Sequence, residues 1–131
     1  MSWSPTMSSI SMIDTPLSQA LGRFLDLSVS RHALITSNLA NIDTPGYRTR
    51  DLNFRQELER AGSSGELSYA LFSPLARPVP GLSQRPDGNN VNPEREGLLL
   101  AETQLRFNLG IQLLRDEFHN LSTAIHEGAT S

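Results

Sequence analysis

Residues 93–127 read PEREGLLLAETQLRFNLGIQLLRDEFHNLSTAIHE, and their apolar spacing decides the fold class. Alternating steps of four and three residues place one line of side chains on a common face: Leu100, Gln104, Phe107, Ile111, Leu114, Phe118, Leu121 and Ile125. Leu98, Leu105, Leu109 and Leu113 form a second line beside it. This period predicts an amphipathic helix, about 50 Å long, with two apolar lines that need more than one partner surface.

Helix-boundary residues bracket this element. Asn92 can accept a bond from a free backbone amide as N-cap, and Pro93 loses no hydrogen bond at the first helical position. Glu94 and Glu96 lie where the helix dipole favours negative charge. Gly128 predicts the end of the helix.

A second long amphipathic helix is predicted over residues 16–43, starting at Thr15-Pro16. Its apolar stripe again follows steps of four and three: Leu21, Leu25, Ser28, His32, Ile35, Leu39 and Ile42. The helix must stop near Asn41 to Asp43, because Pro45 pushes Thr44 out of the helical region and Pro45-Gly46 suits a type II turn. Residues 1–15 show no sustained period and are predicted to be a flexible arm.

The middle, residues 44–92, is predicted to be a turn followed by an irregular segment rich in proline and glycine. A short helix or an extended piece is expected around Leu52, Phe54 and Leu58. A short strand is expected at Leu67, Tyr69, Leu71 and Phe72, and residues 85–88 have the composition of a turn.

The fold class is therefore mainly α, with two long terminal helices pairing as a coiled coil around an irregular middle with little β structure. Residues 16–43 and 93–127 would form one helical domain. A chain of 131 residues cannot cover both wide stripes internally, so part of it is expected to fold only against other subunits.

Composition argues against several classes of function. The net charge is −3, the wrong sign for binding nucleic acid, and all eleven cations are arginines, which excludes lysine chemistry. Cysteine is absent, so thiol catalysis and disulfides are excluded. No catalytic, phosphate-binding or calcium-binding motif occurs, and we expect neither an enzyme nor a cofactor. No segment has the pattern of a membrane span or a cleaved signal peptide.

The histidines and the acidic residues of the middle segment can be explained without a metal site or a catalytic site. His119 and His126 lie two turns apart, which is the wrong spacing for a metal pair on one helix face, so no metal site is expected, and His32 suits an interior or interfacial polar position. The acids Asp51, Glu57 and Glu59 among several arginines are typical of a solvated, salt-bridged face.

One stretch resembles a known family. Residues 31–48, RHALITSNLANIDTPGYR, resemble the signature of the flagellar axial proteins. The continuation TRDLNF, residues 49–54, is similar to flagellar basal-body rod proteins, and to proximal rod subunits among them. DGNNVN, residues 87–92, and the following helix agree, so the resemblance covers about residues 17–127.

The resemblance implies a structural subunit of the proximal rod, part of the drive shaft of the bacterial flagellum, polymerised through its terminal helices. It implies export through the flagellar type III apparatus to the periplasmic side without a cleaved signal peptide. The implied partners are copies of itself, other rod subunits, the rod-to-ring basal adapter, the membrane ring protein and the export gate, with no nucleic acid and no small-molecule substrate.

The candidate assembly residues combine the helix stripes with the turn. They are Leu21, Leu25, Ile35, Asn38, Leu39, Asn41, Pro45, Gly46, Tyr47, Phe54, Phe107, Ile111, Leu114, Phe118 and Leu121. For the residues around the turn, simple helix termination is an equal alternative to contact between subunits. The alternative functions are another flagellar rod subunit, a freestanding helical adaptor or chaperone, and a small hydrolase built on His32 and a carboxylate.

Overall fold

The computed structural model describes residues 15–63 and 73–130. In chain order its elements are α1 (Pro16–Ala40), β1 (Arg50–Asp51), α2 (Phe54–Gly62), β2 (Arg77–Pro78) and α3 (Pro93–Thr130). The protein is mainly helical, and its two long terminal helices pack together as expected. The predicted flexible arm up to Asp14 and the strand expected at residues 67–72 lie outside the described residues.

The helices α1 and α3 run antiparallel. At one end the Asn38 amide meets the Glu96 carboxylate, and at the other the Thr15 hydroxyl donates to Glu117 at 3.1 Å. Thr15 also caps α1, since its side chain accepts from the Ser18 amide and Ser18 bonds back to it. At 1.5 Å per residue, α3 continues for about 20 Å beyond the level of Thr15.

Close packing between these helices depends on Gly110. A Cβ atom at this position would lie 2.8 Å from the Leu25 Cδ2 atom and 3.1 Å from the Phe24 ring. Phe24 in turn packs edge-on against Phe54 of α2, with ring centroids 5.2 Å apart. The Arg106 guanidinium lies 5.4 Å from the Phe54 ring centre. The glycine therefore lets α3 approach α1 at the level where α2 joins the pair.

The first long helix ends close to the predicted stop, whereas the second runs past it. α1 ends at Ala40 with Asn41 as its C-cap, at the start of the predicted stop from Asn41 to Asp43. The amides of Asn41 and Ile42 bond to carbonyls three residues back, and the chain enters the turn. α3 runs through Gly128 to Thr130. Gly128 keeps a negative φ, and a glycine ends a helix only when it takes the left-handed conformation.

The middle segment lies against the end of α1. It contains a two-stranded antiparallel ribbon in which Arg50 pairs with Pro78 and Asp51 with Arg77. The helix α2 follows, with the Asn53 side chain accepting from the Gln56 amide at its N-terminus. The region around Leu52, Phe54 and Leu58 was expected to be either a short helix or extended. The chain there is first extended, in β1, and then helical, in α2.

Candidate assembly site

The side chain of Asn38 lies at the centre of the junction between α1, the turn, β1 and α3. It is 1% exposed and uses its full hydrogen-bonding capacity. Its amide nitrogen donates to the Arg50 carbonyl at 2.8 Å and to the Glu96 carboxylate at 3.2 Å. Its oxygen accepts from the Tyr47 hydroxyl at 2.9 Å and from the Arg50 amide at 3.2 Å. One side chain therefore ties four parts of the chain together.

The turn after α1 directs Tyr47 back to Asn38. The Tyr47 amide donates to the Thr44 carbonyl at 3.2 Å, and Gly46 has φ +75°, as the predicted type II turn requires. Gly88, with φ +88°, lies against it, because a Cβ at this position would be 3.3 Å from the Gly46 Cα. The Gly46 amide also donates to the Asp87 carbonyl at 2.8 Å. Two turns therefore stack through their glycines.

Asn89 and Asn90 secure this stack from the other side. The side-chain amide of Asn89 donates to the backbone carbonyls of Asn41 and Thr44, each at 2.9 Å. These carbonyls follow the end of α1 and have no donor within the helix. Asn90 accepts the Thr49 amide at 2.6 Å through its side chain and the Thr49 hydroxyl through its carbonyl. Arg85 donates to the Ile42 carbonyl. The second turn thus completes the capping of α1.

Charged groups close the junction. Arg31 forms a two-point contact with Asp51, at 3.2 and 3.1 Å, and Arg95 reaches the same carboxylate at 3.5 Å. Arg95 also pairs at 2.7 Å with Glu96, whose side chain is fully buried. A buried charge is tolerated only when it is paired and hydrogen-bonded, and Glu96 has both kinds of partner.

We call this set the polar junction: Arg31, Asn38, Tyr47, Asp51, Asn89, Asn90, Arg95 and Glu96. The sequence prediction missed Asn89, Asn90 and Glu96 as parts of it, assigning Glu96 only to the helix dipole. The run of asparagines between Gly88 and Pro93 was the available signal, because asparagine can satisfy both donors and acceptors of freed backbone. Which carbonyls they reach depends on the tertiary arrangement.

The interpretation of the acids as a solvated face was wrong for two of them. Asp51 belongs to the polar junction, and Glu57 is 4% exposed and held by Arg60 at 2.8 Å. Ala61, one turn further along α2, is also buried. Only Glu59 is exposed as expected, in a pair with Arg55.

The predicted assembly residues occupy three environments. Ile35 and Asn38 are buried within the chain. Pro45, Gly46 and Phe118 are exposed. The others are half-buried: Leu21, Leu25, Leu39, Asn41, Tyr47, Phe54, Phe107, Ile111, Leu114 and Leu121. Asn41 bonds to the Ser37 carbonyl of its own helix, and Asn38 acts inside the chain. Contact between subunits through these residues stays a prediction.

The second apolar line of α3 contains the two most exposed large apolar side chains of the described residues, Leu98 and Leu105. Leu98 is 71% exposed, Leu105 69%, Leu109 55% and Leu113 46%. We call these four residues the leucine stripe. Large apolar side chains exposed along one line of a helix are typical of an interaction surface, so the stripe belongs with the candidate assembly residues, although the sequence interpretation left it out.

On the other flank, a groove of about 410 Å³ lies between α1 and α3. We call it the interhelical groove; Val29 and His32 of α1 and Thr103, Phe107 and Asn108 of α3 are among its lining residues. His32, expected in an interior or interfacial position, is exposed at its edge. Within residues 15–63 and 73–130, no three His, Asp or Glu side chains converge on a possible metal position. None of the described helices is long and apolar enough to cross a membrane.

A comparison with family models and a comparison with individual proteins give the same family. A family model described as flagella basal body rod protein matches residues 30–48, the end of α1 and the turn. The flagellar basal body rod protein FlgB of Cereibacter sphaeroides is 38% identical over 114 residues, which cover 77% of this chain and 87% of that protein. The chain belongs to the FlgB family of flagellar basal body rod proteins.

More distant FlgB proteins align over a similar length. Those of Salmonella typhimurium and Escherichia coli are 27% and 26% identical over 122 residues, covering 79% of this chain and 88% of each relative. As a member of the FlgB family, the chain is a structural subunit of the proximal rod of the bacterial flagellar basal body. It assembles there with other flagellar rod components. The family match includes Arg31, Asn38 and Tyr47 of the polar junction.

Proposed function

We propose that the subunit polymerises through the outer surfaces of α1 and α3, while the polar junction holds the helix pair in one register. The observation that carries this proposal is the exposure of large apolar side chains along α3. Besides the leucine stripe, Phe118 is 44% and Ile125 50% exposed. Burying such a line of side chains against neighbours is strongly favourable, since each buried leucine contributes roughly 1.5–3 kcal/mol.

The polar junction supports a mechanical part of this proposal. A drive shaft needs subunits whose helices do not slide against each other under load. A helix pair held only by apolar contacts can change register at small cost, whereas Asn38 and Glu96 have partners at one register only. We infer that the junction fixes the helices relative to the turn, so that the outer surfaces of the pair meet neighbouring subunits in a constant geometry.

The finer assignments also belong to this proposal. The partners are copies of the chain, other rod subunits, the rod-to-ring basal adapter, the membrane ring protein and the export gate. The location is the periplasmic rod, reached through the flagellar type III apparatus without cleavage of a signal peptide. The subunit has no enzymatic activity, and its role is structural. The charged and polar side chains of the polar junction are bonded to one another within the chain.

The test is amide hydrogen exchange on the purified subunit and on the same subunit within isolated basal bodies. We expect residues 17–40 and 93–128 to gain protection in basal bodies, most strongly around the leucine stripe and beyond Glu117, because these surfaces become buried. The amides of the polar junction serve as the internal control, since their partners are within the chain in both states.

Two results would contradict the proposal. Equal protection of both helices in solution and in basal bodies would favour a self-sufficient helical adaptor. Absence of the subunit from basal bodies of a motile strain would remove the rod function altogether. A different rod subunit is distinguished by site-specific cross-linking, because a proximal subunit contacts the basal adapter directly.

A further inference from the structure

The interhelical groove combines neutral polar groups with apolar surface. Its polar lining residues include Thr103, Gln104 and Asn108 of α3, and apolar surface comes from Val29 of α1 and Phe107 of α3. No aspartate, glutamate or arginine is among its lining residues. A charge buried here would lack an opposite partner, so the groove favours an occupant made of neutral polar and apolar side chains.

One polar group in this groove lacks a partner. Thr103 is 3% exposed, and its hydroxyl oxygen makes no hydrogen bond to any residue that the structure describes. Leaving a buried polar group unpaired is destabilising, and such groups are uncommon in folded proteins. Because a hydroxyl can both donate and accept, the groove favours an occupant that carries a hydrogen-bonding group as well as apolar surface.

The last part of α3 has this chemistry. α3 continues past the start of α1, which lies at the level of Glu117. Residues 118–126, FHNLSTAIH, follow and contain no aspartate, glutamate or arginine; we call them the overhang. Steps of four and three place Phe118, Ser122 and Ile125 on one side of the helix, and all three are exposed. This side of the overhang therefore offers a hydroxyl between two apolar side chains.

Two other pairings do not fit. The leucine stripe includes Glu102 at helical spacing, in an ion pair with Arg106 at 2.7 Å, and its leucines bring no hydrogen-bonding group. The overhang of the same chain cannot reach the groove, because Ser122 lies 19 residues after Thr103 on one helix. This separation corresponds to about 28 Å.

We propose that the overhang of one copy of this chain lies in the interhelical groove of a second copy, with the Ser122 hydroxyl bonded to that of Thr103. Phe118 and Ile125 then pack on the apolar surface of the groove. This inference rests on the proposed rod function and names the surfaces that join the copies. The two surfaces differ, so the contact is heterologous. With α3 parallel in both copies, the second is displaced by about 28 Å along the helix, which builds an open polymer and not a closed ring.

Cysteine cross-linking tests this pairing, because the chain has no cysteine of its own. Asn108→Cys marks the groove and Ile125→Cys marks the overhang, and both side chains are exposed. The proposed alignment places Ile125 of one copy within one turn of Asn108 of the next. Thr123→Cys is the matched control, since two residues correspond to about 200° of rotation and place it on the far side of the overhang. Differently tagged full-length variants are co-expressed and oxidised, as concentrated purified protein and within isolated basal bodies.

The expected result is a dimer carrying both tags from Asn108→Cys with Ile125→Cys, and none above background from Asn108→Cys with Thr123→Cys. A variant that combines Asn108→Cys and Ile125→Cys should give a ladder of multimers, because each copy then links to two neighbours. A product that stops at the dimer would show a reciprocal two-fold contact and overturn the proposal. Cross-linking of Asn108→Cys to Ser11→Cys in place of Ile125→Cys would assign the groove to the equally uncharged residues 1–13, and would also overturn it.

Basal bodies separate this inference from the rod function. If they contain both variants but no mixed product, the pairing is wrong. Mixed product in purified protein, from variants that are absent from the basal bodies of a motile strain, would contradict the rod function and leave the pairing intact.

Thr103→Val tests the hydrogen bond in the same double-cysteine variant. The isolated subunit should unfold at the same or a higher temperature, because the hydroxyl has no partner there. The yield of the ladder should fall about 2- to 10-fold, the equivalent of one hydrogen bond. Ser122→Ala should lower the yield equally, and the two changes together should do no more than either alone. An unchanged yield in both variants would overturn the bond between Ser122 and Thr103.

Discussion

The two ends of the helix pair are stabilised by different means. At the end of α1, the Asn38 side chain is buried and makes four hydrogen bonds to the turn, β1 and α3. At the opposite end, the Thr15 hydroxyl meets Glu117, and α3 then continues with exposed Phe118 and Ile125. The polar groups of the first end are satisfied within one chain, whereas the second end leaves large apolar side chains exposed.

The types of residue that are buried reflect the same difference between the two ends. Only five hydrophobic residues of the described chain are buried, against nine polar or charged ones. A small domain with so few buried apolar side chains depends strongly on its satisfied polar groups for a unique structure. Internal stability is therefore concentrated in the polar junction, and the exposed apolar stripes are left as the proposed assembly surfaces. Four substitutions test this division, from the largest expected effect to the smallest.

Replacing Asn38 should have the largest effect on stability. In Asn38→Ala the Tyr47 hydroxyl and the Arg50 backbone lose buried partners, and we expect the free energy of unfolding to fall by about 3–4 kcal/mol. Urea denaturation followed by circular dichroism measures this change. The control is Asn41→Ala, which removes two exposed bonds, one to the Ser37 carbonyl and one from the Thr44 hydroxyl, and should cost about 1 kcal/mol or less. Equal losses in both variants would contradict the central role of Asn38.

Enlarging Gly110 tests the close approach of the helices. Gly110→Leu places side-chain atoms where Leu25 and Phe24 already lie, so we expect a loss of about 2–3 kcal/mol in unfolding free energy. Gly97→Ala is the matched helical control, because a Cβ there meets nothing within 4 Å and should add up to about 1 kcal/mol of stability. The midpoints of thermal unfolding should move in opposite directions. A Gly110→Leu variant as stable as the parent would show that the pair separates easily.

The stacked turns should respond more weakly. Gly88→Ala forces a side chain into a left-handed backbone and against the Gly46 Cα, with an expected loss of about 1–2 kcal/mol. Gly81 also has a positive φ, but a Cβ there would meet nothing within 4 Å. Gly81→Ala therefore measures the cost of the left-handed backbone alone. Chemical denaturation of the two variants gives the contribution of the contact with Gly46 as their difference. No difference would mean that the turns do not support each other.

A polar residue on the stripe should leave the subunit unchanged and impair assembly. Leu105→Ser alters a side chain that is 69% exposed, so we expect a change in unfolding free energy within about 0.5 kcal/mol. Motility and recovery of the subunit in basal bodies should nevertheless fall sharply. Ile35→Ala, at a buried position, is the contrasting variant, with an expected loss of about 2–5 kcal/mol. Normal motility with Leu105→Ser would remove the stripe from the assembly surface.

The helices were predictable because their signals are local. The 3.6-residue period of α3, the Thr15 and Asn92 caps and the type II turn at Pro45-Gly46 all follow from neighbouring residues, and each occurs as predicted. The end of α1, with Asn41 as C-cap, also lies at the predicted stop, because Pro45 restricts the backbone of the residue before it. The passage of α3 through Gly128 was missed because glycine permits the left-handed conformation without requiring it.

The division of labour among side chains was less predictable. The period places Phe107 and Leu105 on different faces of α3, but it does not say which face α1 covers. In the polar junction Asn38 bonds to Glu96, which lies 58 residues away in the sequence. The residue types alone do not predict that these two side chains pair. Similarly, Glu57 has the sequence surroundings of a solvated acid, and only the orientation of α2 buries it.

The sequence by itself determined the two long helices, their N-caps, the turn between α1 and β1, and the family, because these depend on interactions within a few residues or on a contiguous motif. Only the tertiary structure decided that Asn38 is an internal tie, that Asn89 and Asn90 complete the cap of α1, and that the leucine stripe stays outside. The physical reason is that hydrogen-bond partners and burial are set by which elements meet in space, and a helix with two apolar lines is compatible with either line facing inward.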